Sequence, residues 1–203
     1  MMELVKKGFQ ECQQMNENMF PLDSTPDYET SNIVSDITPN DESSNVVSDR
    51  TSSDDYSSDK GVLLLARAFL SIDSMTHKKL QKLCFYAKAW YLALYDENII
   101  TEDFQAWVHG AVQPELYQNY RQYGFSSIPK NVDSKDIPEG YLSFAKEIYN
   151  SYGHLTGDEL ERLNHSEEPW IKARKGLNPW QNSNEVISED DMKKYYRGLV
   201  NNG

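Results

Sequence analysis

From residue 61 onward, apolar positions recur with the period of a helix. Val62, Leu65, Ala66 and Phe69 share one face and predict a helix over 61–72. Thr76 can cap a second helix over 77–95. There Leu80, Leu83, Cys84, Ala87, Tyr91 and Leu94 form one stripe, and Phe85, Ala89, Trp90 and Ala93 form another. A helix apolar on nearly all sides is expected at the centre of the fold. Asp96 and Asn98 mark a turn, after which Ile99, Ile100 and Phe104 suit a short extended segment.

Pro114 fits the first turn of a helix, where its missing N–H costs nothing. Leu116, Tyr117 and Tyr120 supply that helix's buried face, and Gly124 can stop it. After a polar stretch over 126–137, Pro138 opens another helix. Leu142, Ala145, Ile148, Tyr149 and Tyr152 lie on one side of it, and Gly153 is its stop. Thr156 and Glu159 have capping-box spacing for a helix over 157–164. A short helix follows Pro169, and Ser188 can cap a last one over 189–200 that carries Met192, Tyr195, Tyr196 and Leu199. The expected class is mainly α: a multi-helix domain over 61–203 with at most a short β-hairpin.

Residues 1–60 read differently. They hold 13 acidic and 4 basic residues but only 4 of the 24 aromatics, whereas 61–203 hold 19 acidic and 16 basic residues and all four Trp. So little apolar surface cannot offset the entropy of ordering, so 1–60 is expected to be a largely disordered acidic extension, with one short helix available at 3–19. Within it "TSNIVSDITPNDE" (30–42) is followed by the near-copy "SSNVVSDRTSSDD" (43–55). Two readings stand: a slipped duplication in a linker, or two copies of a recognition motif centred on Ile33-Val34 and Val46-Val47.

A net charge of −12 argues against nucleic acid as a direct ligand, which needs clustered cations, and suits a basic partner. Cys12 and Cys84 are the only cysteines, so a reducing cytosol is expected. The run "VLLLARAFLSI" is short and carries Arg67, so no membrane span is expected. No CxxC, HExxH or Gly-rich phosphate loop occurs, and no metal or cofactor is expected.

Single residues give weak chemical signals. His109 has no Ser or Cys near it in sequence, which favours a buried, hydrogen-bonded loop histidine over a hydrolase triad. Gly110, after Trp107-Val108-His109, suggests a backbone passing tightly beside a large ring. Glu102 and Asp103 read as a solvated turn, and no catalytic residue is assigned. Trp170 with Lys172 and Arg174 can present an aromatic-plus-cation surface to a partner, or Trp170 can dock on the core while Arg174 pairs locally.

Three motifs in order, "KLQKLCFYAKAWYLALY" (79–95), "FQAWVHGAVQPELYQNY" (104–120) and "LNHSEEPWIKAR" (163–174), resemble the Panacea, or SocA-like, antitoxin domain of bacterial and phage toxin–antitoxin systems. The resemblance covers about residues 61–200. It implies a non-enzymatic antitoxin without cofactor that neutralises a cognate toxin, encoded beside it, by direct binding. Among the toxins associated with the family are alarmone-synthetase-like enzymes that use nucleotides. A proteolytic adaptor, or an enzyme reversing the toxin's modification, is the alternative, and a higher-order complex is allowed. The resemblance also implies a scaffold role for Leu80, Lys82, Leu83, Trp90, Trp107, His109, Gly110, Pro114, Tyr117, Pro169, Trp170 and Arg174. Ile33, Val34, Val46, Val47, Trp170 and Lys172 are the candidates for touching the partner. One departure is that Ala111 follows Gly110 where the family commonly has proline, which leaves the local turn less rigid.

Overall fold

The computed structural model describes residues 61–130 and 132–201. Helix α1 (Val62–Ile72) is buried along almost its whole length. Its exposed first N–H groups need an acceptor, and Glu102 supplies one: Val62 N–H donates to Glu102 Oε1 at 3.1 Å. Gly61, at φ 66°, lies so close to that carboxylate that a Cβ has no room. Glu102 is therefore a helix cap rather than part of a solvated turn.

Helix α2 (His77–Tyr95) begins as expected, with Thr76 Oγ1 accepting the Lys79 N–H at 3.3 Å, and ends at Asp96 in the left-handed region. Leu80, Leu83, Phe85 and Trp90 have no exposure on any side of it. Around this axis pack α4 (Glu139–Tyr152), α5 (Gly157–Ser166) and α7 (Glu189–Asn201), while α1 lies on α2 and α4. The remaining helices are α3 (Pro114–Tyr120), with Pro114 in its first turn, and α6 (Glu168–Ala173). Thr156 and Glu159 form the expected capping box on α5, and Ser188 Oγ accepts the Asp191 N–H at 3.3 Å to cap α7.

Two small antiparallel pairs complete the described residues: β1 (Met75–Thr76) with β4 (Ser127–Ile128), and β2 (Gln105–Trp107) with β3 (Gly110–Val112). The second is the anticipated hairpin. The extended segment expected around Ile99, Ile100 and Phe104 lies just before it, and Ile100 and Phe104 bury in the core outside any strand. The β1–β4 pair was not foreseen; two residues a side carry no period to detect. Among the described residues seven α-helices, two short 3-10 helices and these ladders make the fold mainly α. Among the described residues no helix is long and apolar enough to cross a membrane.

Aromatic packing ties the helices together. Trp90 Nε1–H donates to Tyr152 Oη at 2.8 Å, so the buried indole leaves no polar group unmet. Tyr86 stacks on Tyr152 at 4.3 Å and meets Tyr196 edge-on. Lys88 is fully buried, with its ammonium on the Glu102 carbonyl at 2.8 Å and the Glu189 carboxylate at 2.6 Å. It thereby fastens the segment before the hairpin to the start of α7.

Candidate functional site

The three sequence motifs converge on the β2–β3 hairpin. Ala106 lies opposite Ala111 in the ladder, and the backbone groups of both point outward from it. Side chains meet most of these groups where a sheet would supply further strands. On the β3 side, Lys82 Nζ donates to the Ala111 carbonyl at 2.9 Å, and Asn164 Oδ1 accepts the Ala111 N–H at 2.7 Å. Two residues on, Gln81 makes both bonds to Gln113, donating from Nε2 to its carbonyl at 3.1 Å and accepting its N–H at 2.8 Å. On the β2 side, Ala106 N–H donates to the Glu185 carbonyl at 2.8 Å, and Arg174 Nη1 donates to the Ala106 carbonyl at 2.9 Å.

Gly110 makes this approach possible. Its φ is +92°, and a Cβ there would lie 2.7 Å from Lys82 Nζ and 2.9 Å from Asn164 Oδ1. The tight neighbours are thus a lysine and an asparagine, not the large ring expected. Ala111 also gains meaning: its N–H is the donor to Asn164, and a proline at that position could not make the bond.

Behind Asn164 the polar network continues inward. Asn164 Nδ2 donates to Glu167 Oε2 at 3.3 Å, and the same oxygen accepts from Tyr196 at 2.8 Å and Tyr86 at 3.3 Å. Asn164, Glu167 and Lys82 are all buried. Burial pushes the Lys82 ammonium down to about 7; Glu161 opposes that shift and Lys78 adds to it. Burial likewise lowers His165 to about 4. The Cys84 thiol, also buried, is pushed well up.

Arg174 is the second hub. It is 6% exposed, and besides Ala106 it reaches three carbonyls through Nη2: Asn178 and Pro179 at 3.2 Å and Gln181 at 2.7 Å. Its local partners are thus backbone groups rather than a carboxylate. Its guanidinium lies 5.1 Å from the centre of the Trp170 ring, whose other neighbour is the stacked His165 at 4.1 Å. Trp170 is half-buried against the core, and its indole N–H donates to the Trp107 carbonyl at 3.1 Å.

The other expected scaffold residues fall into two groups. Leu80, Leu83, Trp90 and Pro169 are buried, and Tyr117 meets Trp107 and His77 edge-on. His109, by contrast, is not buried. It sits in the hairpin turn with its side chain 74% exposed, and Nδ1 lies 3.0 Å from Glu161 Oε1. The two-residue turn projects from the body, and the His109 side chain lies on its solvent side. Glu161 also meets Lys78 at 2.7 Å; burial raises its pKa, but the bonds from Lys78 and His109 outweigh that and hold it low. Lys172 is exposed and spanned by Glu168 at 3.1 Å and Asp191 at 2.9 Å. Ile33, Val34, Val46, Val47 and the helix expected at 3–19 lie outside the described residues.

Sequence reasoning did not single out Gln81, Gln113, Asn164 or Glu167. A signal existed for Asn164, which follows Leu160 and Leu163 on the buried stripe of α5 where a polar residue needs partners. Among the described residues no group of three or more His, Cys, Asp or Glu is arranged to hold a metal ion.

The class defined by this geometry is a mainly α domain built on a hairpin whose outward backbone groups are held by side chains from α2, α5 and the segment after α6. Residues 80–171 match the model of the family described as antitoxin SocA-like, Panacea domain, which bears out the resemblance over that segment. No curated protein and no solved structure matches the chain. The matched segment holds Lys82, Gly110, Asn164, Glu167 and Trp170, and it ends just before Arg174.

Proposed function

We propose that this chain is an antitoxin that neutralises a cognate protein toxin, encoded beside it, by direct stoichiometric binding. The observation that carries the reading is the Panacea-domain match over 80–171, which supports an antitoxin role in general. Charge supports the finer statement. A chain of net charge −12 favours a basic partner surface, such as one that handles nucleotides or RNA. In this reading 61–203 is the binding domain and acts without catalysis or cofactor in the cytoplasm. The acidic segment 1–60, with its tandem copies, helps to choose the toxin.

The test is a titration of the purified product of the adjacent reading frame, its toxic activity measured against rising amounts of the full chain, with no protease or cofactor added. Inhibition that saturates near equimolar ratio, in a complex that survives gel filtration, is expected. Relief far below equimolar ratio would assign catalysis instead. No inhibition until a protease is supplied would assign an adaptor role.

A further inference from the structure

Among the described residues five large hydrophobic side chains are exposed, and three of them, Ile171, Trp180 and Val186, fall between 171 and 186. Scattered surface hydrophobics are ordinary, but a Trp 75% exposed on a braced loop is not. The brace is Arg174, whose guanidinium holds the carbonyls of Asn178, Pro179 and Gln181 around Trp180. The Gln181 N–H adds a bond to the Asn178 carbonyl at 3.0 Å. At the other end Glu185 and Ile187 bond to Ala106 and Phe104, so the backbone groups of Val186 between them face away from β2.

We propose that the 171–186 face, anchored by Trp180, seats on the toxin, in an apolar pocket with a cationic rim. This rests on the antitoxin reading above. A loop ordered beforehand loses little freedom on docking, and Trp is the side chain that most often anchors an interface. The open edge at Val186 can add backbone hydrogen bonds beside that anchor. Charge favours such a partner over a second copy of this chain. Over 168–191, with Arg174 buried on backbone carbonyls and Glu189 paired with the buried Lys88, Glu168, Glu185, Asp190 and Asp191 stand against Lys172 and Lys175. Two copies meeting here would bring acidic rims together, whereas a cationic rim complements them.

The experiment compares the full chain with Trp180→Ala, Trp180→Tyr and Phe125→Ala for binding to the purified product of the adjacent reading frame, by calorimetry. Phe125 is the fully exposed control aromatic, on the turn before β4. Trp180→Ala is expected to leave thermal unfolding unchanged and to weaken binding at least about 30-fold, with partial recovery in Trp180→Tyr. Phe125→Ala should change affinity by less than about 3-fold. Wild-type binding retained in Trp180→Ala overturns this inference and leaves the antitoxin reading intact. A dimer of the chain alone that Trp180→Ala dissolves assigns the face to a second copy, and also overturns it. A wild-type chain that neither binds nor neutralises the adjacent gene's product overturns the antitoxin reading, and this inference with it.

Discussion

Removing the Arg174 guanidinium tests whether one side chain holds the hairpin and the 177–182 loop together. Of its four carbonyl partners only that of Ala106 is in the core, since Asn178, Pro179 and Gln181 are exposed and water can replace the guanidinium there. A buried acceptor deprived of a charged donor costs about 1.5–3 kcal/mol. Loss of the contact with the Trp170 ring adds about 0.5–1 kcal/mol. Arg174→Ala is therefore expected to destabilise the fold by about 3 kcal/mol. For a domain of this size that lowers the midpoint of thermal unfolding by about 10 °C, read by far-UV circular dichroism. Arg174→Lys should recover less than half of the loss, because an ammonium on a thinner stem cannot span Ala106 and the loop at once. Hydrogen exchange gives a second readout: the amides of Leu177 and Gln181, which bond within the loop, should exchange faster in both variants. A lysine variant indistinguishable from wild type would mean that charge, not the fork, matters. A shift below about 2 °C for Arg174→Ala would refute the hub altogether.

Two further expectations concern buried titratable groups. The folded pKa of Lys82 is about 7, below its value in an unfolded chain, so the unfolded state binds the extra proton between about 7 and 10.5, and stability should rise with pH across that window. Lys82→Met should flatten that slope in urea denaturation measured at several pH values; a slope unchanged by the substitution would contradict the neutral buried lysine. His165 is held to about 4, so its contribution is complete above about 6.5 and is lost as pH falls toward 4. His165→Gln should reduce acid destabilisation over that range, monitored by the fluorescence of the stacked Trp170, and an acid midpoint that does not move would exclude His165 as its source.

Much of the fold was legible because periodicity and caps agreed. Thr76, the Thr156–Glu159 box and Ser188 each start the helix that the apolar spacing placed after them. The site was less legible, because its logic is long-range. His109 and Gly110 drew attention as neighbours of Trp107, yet what fills the space at Gly110 is Lys82 and Asn164, from helices nearly 30 residues before it and more than 50 after. Local sequence cannot show which helix a hairpin lands on. Glu102 misled for the same reason: the N-terminus it caps begins at Val62, and adjacency to Asp103 says nothing about that. Lys82 and Arg174 could be named as scaffold only through the family resemblance. Their partners are backbone carbonyls, which every residue has and no sequence marks.

These internal bonds bear on where recognition can reside. Lys82, Asn164 and Glu167 each meet a fixed internal partner, and Gln81 meets Gln113 on both its donor and acceptor sides. A buried polar group already paired inside the fold gains little by exchanging that partner for one on another protein, and exposing it would leave an orphaned donor or acceptor behind. We infer that the matched segment chiefly sets the shape of the domain. Surfaces that are exposed yet held in place by it are then the ones free to vary with the toxin. The stretch after the match meets both conditions: Trp180 faces solvent, and Arg174, clamped to β2, fixes the loop that carries it. A hairpin held from α2 and α5 on one side and by Arg174 on the other thus connects the part of the chain that a family model can recognise to a part that it leaves unconstrained.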